Sequence, residues 1–276
     1  MGTYLHPDAP ETKDDVVALY SGGVDSYCMS YLTKPDTLLC VNMGGRYGDV
    51  EAANLHTPPE LEHSVVLLEC KAIGGFEDPT TSIIPGRNAF LALFGAQFGS
   101  TLLLASVYEE AHVGGADKDE GFAWALGQLF DHMFAPQRWL PDGRQVRLRL
   151  PVHQLTKTQL VGRTLLAGHS RHDFAERTFS CYEPVPDWPS GYKACGQCGA
   201  CARRWAAFVV WGIEVEFGRP AAVDGYVAEA RKLLETPSTN MNRQTWNWIH
   251  DWLDAENGML RPVEQAMDYP MWERVR

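Results

Sequence analysis

Short apolar runs punctuate the first half of the chain. Asp15 to Tyr20 (DVVALY), Thr37 to Asn42 (TLLCVN), Ser64 to Glu69 (SVVLLE) and Thr101 to Ser106 (TLLLAS) each carry consecutive apolar side chains. A strand with no polar face must be covered on both sides, so these runs predict buried strands of a parallel sheet. Helical spacing lies between them, from Asp25 to about Leu32, from about Asp49 to Leu55, and from Asn88 to Phe98. Strands alternating with helices predict an α/β fold with a doubly wound parallel sheet. Gly121 to Phe134 and Lys157 to Ala167 read as further helices, and Gln145 to Leu150 (QVRLRL) alternates like a strand between them.

From Arg177 the character changes. A loop rich in Pro, Gly and Tyr carries a cluster of cysteines, and Ala202 to Trp211 then resumes helical spacing. The C-terminal stretch reads as two helices, Val223 to Leu234 and Asn240 to Glu256, with Trp246, Trp248 and Trp252 on the second and Trp272 beyond it. Trp246 and Trp248 are two apart and cannot share one narrow helix face. The expected organisation is an N-terminal tail (1–15), an α/β domain (16–217) and a Trp-rich helical C-terminal extension (218–276). That extension either packs on the domain or offers a protein partner a surface, since Trp is enriched where partners bind.

Composition narrows the function classes. The chain has 276 residues, 45% hydrophobic and 21% charged, with a formal net charge of -11. An acidic surface repels phosphate backbones, which argues against general nucleic-acid binding while leaving room for a local basic pocket. No stretch approaches the roughly 20 apolar residues that cross a bilayer, and Met1 to Asp15 lacks a basic start followed by an apolar run. A cytoplasmic location is the expectation. In a reducing compartment a cysteine cluster reads as a metal site rather than as disulfides.

Ser21-Gly22-Gly23-Val24-Asp25-Ser26 sits between a predicted strand and a predicted helix. The glycines permit a tight turn and let backbone N–H groups approach an anion. The helix N-terminus adds its positive dipole end, and the serine hydroxyls can donate to phosphate oxygens. The bland alternative is a helix cap after a glycine turn, with Asp25 and Ser26 capping locally. No Lys follows the glycines, so this is not the G-x-x-x-x-G-K-[ST] loop. It resembles instead the pyrophosphate loop of ATP pyrophosphatases. The resemblance implies ATP binding at Ser21, Gly22, Gly23, Val24, Asp25 and Ser26, with cleavage to AMP and pyrophosphate.

Cys181, followed by Cys195, Cys198 and Cys201 in two overlapping C-x-x-C turns, offers four thiolates for a closed tetrahedral zinc ion. With no open position such an ion is structural. An iron–sulfur cluster and free buried cysteines are the competing readings. A redox role is disfavoured on the expectation that the pairs lack the helix-start context of a thioredoxin-like site.

Taken in order, further segments resemble the 7-cyano-7-deazaguanine synthase family of the deazaguanine (queuosine-precursor) pathway. They are Pro85-Gly86-Arg87-Asn88 before an apolar helix, Leu150-Pro151 with Thr156-Lys157, Thr178 to Tyr182 (TFSCY) and Ala194 to Arg204 (ACGQCGACARR). The resemblance covers about Val16 to Phe208 and implies an adenine-nucleotide hydrolase-like fold. It also implies that ATP adenylates 7-carboxy-7-deazaguanine, ammonia gives the amide, and a second ATP gives the nitrile. Mg²⁺ would accompany the phosphates. Lys157 is a candidate to neutralise phosphate or carboxylate charge, and Arg87 offers a planar fork for a phosphate or the acyl group. From spacing alone, Lys157 reads equally as a solvated helix residue and Arg87 as a loop ion-pair partner. Asn88 and Asp117 are candidates for substrate binding, with Asp117 also a catalytic candidate. A homodimer is compatible with this reading.

One segment departs from the family. Where a G-Y-P-D-C-R stretch is usual, this chain has Gly114-Gly115-Ala116-Asp117-Lys118-Asp119. Either the loop has drifted neutrally or the second substrate or the product has changed, as in transfer of the acyl group to another amine such as a protein amine. A tRNA-thiolating adenylase would need a mobile cysteine, whereas Cys28, Cys40 and Cys70 lie in apolar elements. A zinc-knuckle nucleic-acid module is opposed by the acidic balance and the intact loop.

Overall fold

In a computed structural model of the chain, residues 15–80, 83–111, 117–187 and 191–219 are described. The expected helices at Val223 to Leu234 and Asn240 to Glu256, the four tail tryptophans, and Gly114 to Ala116 lie outside them.

The apolar runs form a parallel sheet of five strands among these residues: β1 (Val16–Leu19), β2 (Thr37–Asn42), β3 (Val65–Glu69), β4 (Thr101–Leu104) and β5 (Arg147–Arg149). Their order is β3-β2-β1-β4-β5, with β1 registered by Ala18 opposite Leu38 and Leu103. The helices are α1 (Val24–Thr33), α2 (Gly45–Ala53), α3 (Arg87–Gly95), α4 (Tyr108–Ala111), α5 (Glu120–Met133), α6 (Lys157–Leu166), α7 (Arg171–Arg177) and α8 (Gly199–Val209). A small hairpin of β6 (Val185–Asp187) and β7 (Gly191–Lys193) precedes α8.

Alternate residues of each central strand enter different cores. Ala18, Leu38 and Leu103 join Tyr27, Leu160, Phe174, Phe208 and Trp211 from the α1, α6, α7 and α8 side. Val17, Leu19, Leu39, Leu102 and Leu104 join Ala92, Leu126 and Phe130 from α3 and α5. Both faces of β1, β2 and β4 are therefore covered, which is why these strands read as continuous apolar runs. Strand β3, expected to be buried, lies at the sheet edge, is only half-buried and leaves Leu67 exposed. At about 1.5–3 kcal/mol for each fully buried Leu or Phe, these two layers dominate the local propensities of the short strands.

Several expected boundaries shift. The second helix starts at Gly45 rather than Asp49, because Gly44 and Gly45 adopt φ of +74° and +71° and turn the chain early. The third ends at Gly95 rather than Phe98, where a Cβ would press the Leu19 and Leu102 side chains. The last begins at Gly199 rather than Ala202. The strand expected over Gln145 to Leu150 contracts to three residues at the sheet edge.

In this strand order, β1 and β4 are neighbours whose helical connections leave in opposite directions. A crevice opens outside their carboxyl ends, the customary ligand position in open α/β sheets.

Candidate active site

The phosphate-type loop lies at that crevice. Tyr20 leads β1 into Ser21, and Gly22 takes φ +72°, a left-handed turn that favours glycine. Gly23 has an ordinary backbone as N-cap of α1. A Cβ there would stand 3.3 Å from Ser21 Oγ and 3.4 Å from Ser180 Oγ. Gly22 thus serves the turn and Gly23 the close approach. No side chain caps α1 at Gly23, so the bland alternative of local capping by Asp25 and Ser26 is not what the loop shows. Ser26 Oγ instead donates back to Gly23 O at 3.1 Å and accepts from Ser21 N–H at 3.3 Å.

The remaining contacts of the loop amides are long. Gly23 N–H reaches Ser21 Oγ, and Val24 N–H reaches Ser180 Oγ, each at 3.4 Å. Anionic oxygens form shorter and stronger bonds to such donors, so an incoming phosphate can replace these contacts. Phe179 N–H donates to Gly22 O at 3.0 Å, which ties the cysteine segment directly to the loop.

A cleft of about 230 Å³ opens here, lined by Ser21, Gly23, Val24, Asp25, Lys157, Glu110, Lys118, Ser180, Arg203 and Arg204, among others. A second chamber of about 430 Å³ is lined by Ser21, Ser26, Val41, Met43, Ile84, Arg87, Asn88, Leu91 and Asp117. Ser21, Tyr47, Glu51, Arg87, Ala105, Lys118 and Tyr182 line both, so the chambers adjoin.

Lys157 comes to the cleft through a local sequence device. Thr156-Lys157-Thr158-Gln159 spells a capping box, and both of its bonds form: Gln159 N–H to Thr156 Oγ1 at 3.2 Å, and Thr156 N–H to Gln159 Oε1 at 2.9 Å. Lys157 is thereby fixed as the first residue of α6, and its Nζ donates to both carboxylate oxygens of Asp25 at 2.5 Å. Arg87, the first residue of α3, donates to Glu51 Oε2 of α2 at 2.6 Å. Asn88 Nδ2 donates to the Asp117 carbonyl at 3.2 Å, which brings the P-G-R-N segment against the altered loop. Asp119 is a helix cap, accepting from Phe122 N–H at 2.7 Å.

The structure thus brings Arg87, Asn88, Asp117, Lys157 and five of the six loop residues to one pair of chambers; Gly22 lines neither. Sequence reasoning missed Glu51, Glu110, Lys118, Ser180 and Tyr182. Lys118 ion-pairs with Glu110 at 2.9 Å. Burial pushes the Glu110 carboxyl up, but the Lys118 and Lys157 ammoniums outweigh it and hold the group below its ordinary range. Burial likewise opposes charge on Lys118, and Glu110 outweighs that, raising the ammonium. Tyr47 and Tyr182 meet at the rim with ring centroids 5.5 Å apart, and Arg203 donates to the Tyr182 hydroxyl at 3.0 Å.

The four clustered cysteines converge. Cys181, Cys195, Cys198 and Cys201 are all buried, with their sulfurs within 4.8 Å of one another. Measured pairs lie at 3.5, 3.9 and 4.0 Å. A tetrahedron with Zn–S bonds of ~2.3 Å has edges of ~3.8 Å, so the set fits zinc. Backbone N–H groups of Tyr182, Glu183, Cys195, Gln197 and Cys198 point at the sulfurs at 3.2–3.4 Å, as thiolates require. Arg204 lies beside them, its guanidinium lowered to about 10 by burial, with Cys201 and Cys181 acting in the opposite sense.

One expectation about the knot is corrected. Cys198 is the N-cap of α8 and Cys201 stands in its first turn, so the pair does have a helix-start context. The four-way convergence and full burial nevertheless favour metal binding over exchange with an external thiol.

The comparison with known proteins fits this geometry. Residues 59–212 match the family described as queuosine biosynthesis protein QueC. The chain belongs to that family. The 7-cyano-7-deazaguanine synthase of Azotobacter vinelandii is 27% identical over 222 residues, covering 71% of this chain and 94% of that protein. The synthase of Pseudomonas putida F1 is 26% identical over 228 residues, covering 74% and 97%. That of Cellvibrio japonicus is 26% identical over 227 residues, covering 73% and 96%. Among the described residues no helix is long and apolar enough to cross a membrane.

Proposed function

We propose that this QueC-family protein is a ligase that uses ATP to activate the carboxylate of 7-carboxy-7-deazaguanine and then forms the amide and the nitrile. The observation that carries the reading is the joined pair of chambers at the β1–β4 switch point, one walled by the glycine loop and Lys157, the other partly apolar. Adenosine suits the larger chamber, against Val41, Met43, Ile84 and Leu91. The phosphates then lie over Ser21 to Ser26 beside Lys157, with the deazaguanine in the smaller chamber.

A substrate carboxylate oxygen attacks the α-phosphorus, and the bond to pyrophosphate breaks. Loop amides and Lys157 meet the charge that accumulates on the departing group. Mg²⁺ would arrive with the phosphates, since such sites rely on one or two carboxylates plus the nucleotide. Asp25 is placed for this once phosphate competes for Lys157. Ammonia then attacks the acyl carbon, AMP leaves and a proton is released. In the second cycle the amide oxygen is adenylated, and loss of AMP and two protons leaves the nitrile. Cys181, Cys195, Cys198 and Cys201 would hold the zinc, which would supply structure rather than chemistry, while Phe179 and Ser180 contact the loop at Gly22 and Val24. A thiolate-bound zinc accords with a cytoplasmic location.

A second reading retains the adenylation but passes the acyl group to a different amine, such as a protein amine. It is favoured by the placement of Asp117 and Lys118, from the divergent loop, on the chamber walls. Mass spectrometry of a reaction of full-length protein with ATP, Mg²⁺, ammonium and 7-carboxy-7-deazaguanine separates the cases. AMP, pyrophosphate and free nitrile support the first reading. AMP with the deazaguanine mass on protein supports the second. Turnover to ADP, or no turnover, overturns both.

A further inference from the structure

The Lys118–Glu110 pair belongs to neither the glycine loop nor the cysteine knot, yet it stands where the chambers meet. Lys118 lines both of them, and Glu110 lines the smaller. The other lysine of the cleft, Lys157, is engaged with Asp25 of the loop at 2.5 Å and so serves the phosphate end. Lys118 lies two residues before the Glu120 start of α5 and pairs at 2.9 Å with a carboxylate that is not part of the phosphate loop.

We propose that Lys118 is a specificity-determining residue that reads the negative charge of a heteroaromatic carboxylate substrate at the junction of the chambers, with Glu110 positioning its ammonium. This rests on the carboxylate-activation reading above. An ammonium has three donors and no acceptor. One donor holds Glu110, and the others can face the chambers. A carboxylate accepts charge-assisted bonds from such a group, whereas the neutral amide of the same ring accepts only ordinary ones. The pair therefore discriminates the first substrate from the amide by charge. Glu110 keeps Lys118 protonated where burial works against charge.

The test uses full-length protein and two probes, 7-carboxy-7-deazaguanine and its amide, with affinities read by calorimetry and AMP formation followed in parallel. Lys118→Gln is expected to weaken carboxylate binding about ten- to a hundredfold, the size of a lost hydrogen bond to a charged group. Binding of the amide and of ATP stays within about twofold on the same scale. Lys118→Arg restores most of the carboxylate affinity, and Glu110→Gln gives a smaller loss of the same sign. Equal weakening of both probes overturns the proposal in favour of a structural role, and a loss confined to ATP overturns it in favour of phosphate binding. Unchanged carboxylate affinity also overturns it. If the wild-type protein binds the carboxylate in this selective way but forms no AMP, the functional reading fails while charge recognition by Lys118 stands.

Discussion

Replacing Lys157 by methionine tests the proposed phosphate end of the site. The Lys157 and Asp25 side chains are only 19% and 18% exposed, and Nζ contacts both carboxylate oxygens at 2.5 Å. Unit charges at 4 Å interact by about 4 kcal/mol at an effective dielectric constant near 20. Desolvation returns much of that, leaving roughly 1.5–3 kcal/mol for a charge-assisted bond. Lys157→Met strands the Asp25 carboxylate, so stability falls by about 2 kcal/mol. That corresponds to a fall in Tm of roughly 4–8 °C in a chain of this size. ATP affinity falls by about ten- to a hundredfold, because a cation is lost and an unpaired anion is left beside the phosphates.

Adding Asp25→Asn removes the stranded charge. The double variant should recover most of the stability, with a coupling of about 1–3 kcal/mol in the cycle, but not the ATP affinity of the wild type. Denaturant melts give the first quantity and calorimetric titration of ATP the second. Wild-type ATP affinity in Lys157→Met would refute the placement of Lys157 at the phosphates, and strictly additive stabilities would refute its coupling to Asp25.

Three further outcomes follow from the geometry. Cys198→Ser should abolish stoichiometric zinc in elemental analysis and also weaken ATP binding, since Phe179 and Ser180 link the knot to Gly22 and Val24; unchanged ATP affinity in a zinc-free, folded variant would break that link. Gly162→Ala gains about 1 kcal/mol of helix propensity, but its Cβ collides with the Trp211 indole. Overpacking of about 1–3 kcal/mol wins, and thermal melting should show a net loss. Burial pushes the Cys40 thiol up from 9.0 to about 12. The unfolded chain therefore releases this proton first, and the contribution of Cys40 to stability, full below pH 9, is lost between about pH 9 and 12. Cys40→Ala should flatten that part of the stability profile.

The sheet was legible because β1, β2 and β4 are buried on both faces and so carry unbroken apolar runs. The edge strand β5, with Arg147 paired to Asp131 and Arg149 exposed, has only Leu148 buried. Its pattern extends further in sequence than its ladder does in space. Helix α7 (RHDFAER) was missed because Phe174 is its sole buried residue and the other side chains favour water. The hairpin β6–β7 has three residues per strand, too few for a periodic signal.

At the site, the glycine loop and the cysteine knot were legible because each is local: spacing along the chain sets their geometry. Glu110, on α4, and Lys118, just before α5, are eight apart in sequence, and their ion pair is a contact of the folded chain. Glu51 meets Arg87 across two helices. Nothing in the spacing of those residues shows a pair. The substituted loop lacks the Tyr, Pro, Cys and Arg usual in the family, while Lys118, which it adds, lines the cleft.

The central claim is that a carboxylate oxygen of the substrate is transferred to the α-phosphorus. Its most direct test is to supply 7-carboxy-7-deazaguanine labelled with ¹⁸O in the carboxylate and to analyse the nucleotide products by mass spectrometry. The account predicts AMP carrying one substrate-derived ¹⁸O, with unlabelled pyrophosphate. Label in inorganic phosphate with ADP as the product, or AMP formed without label, would contradict it.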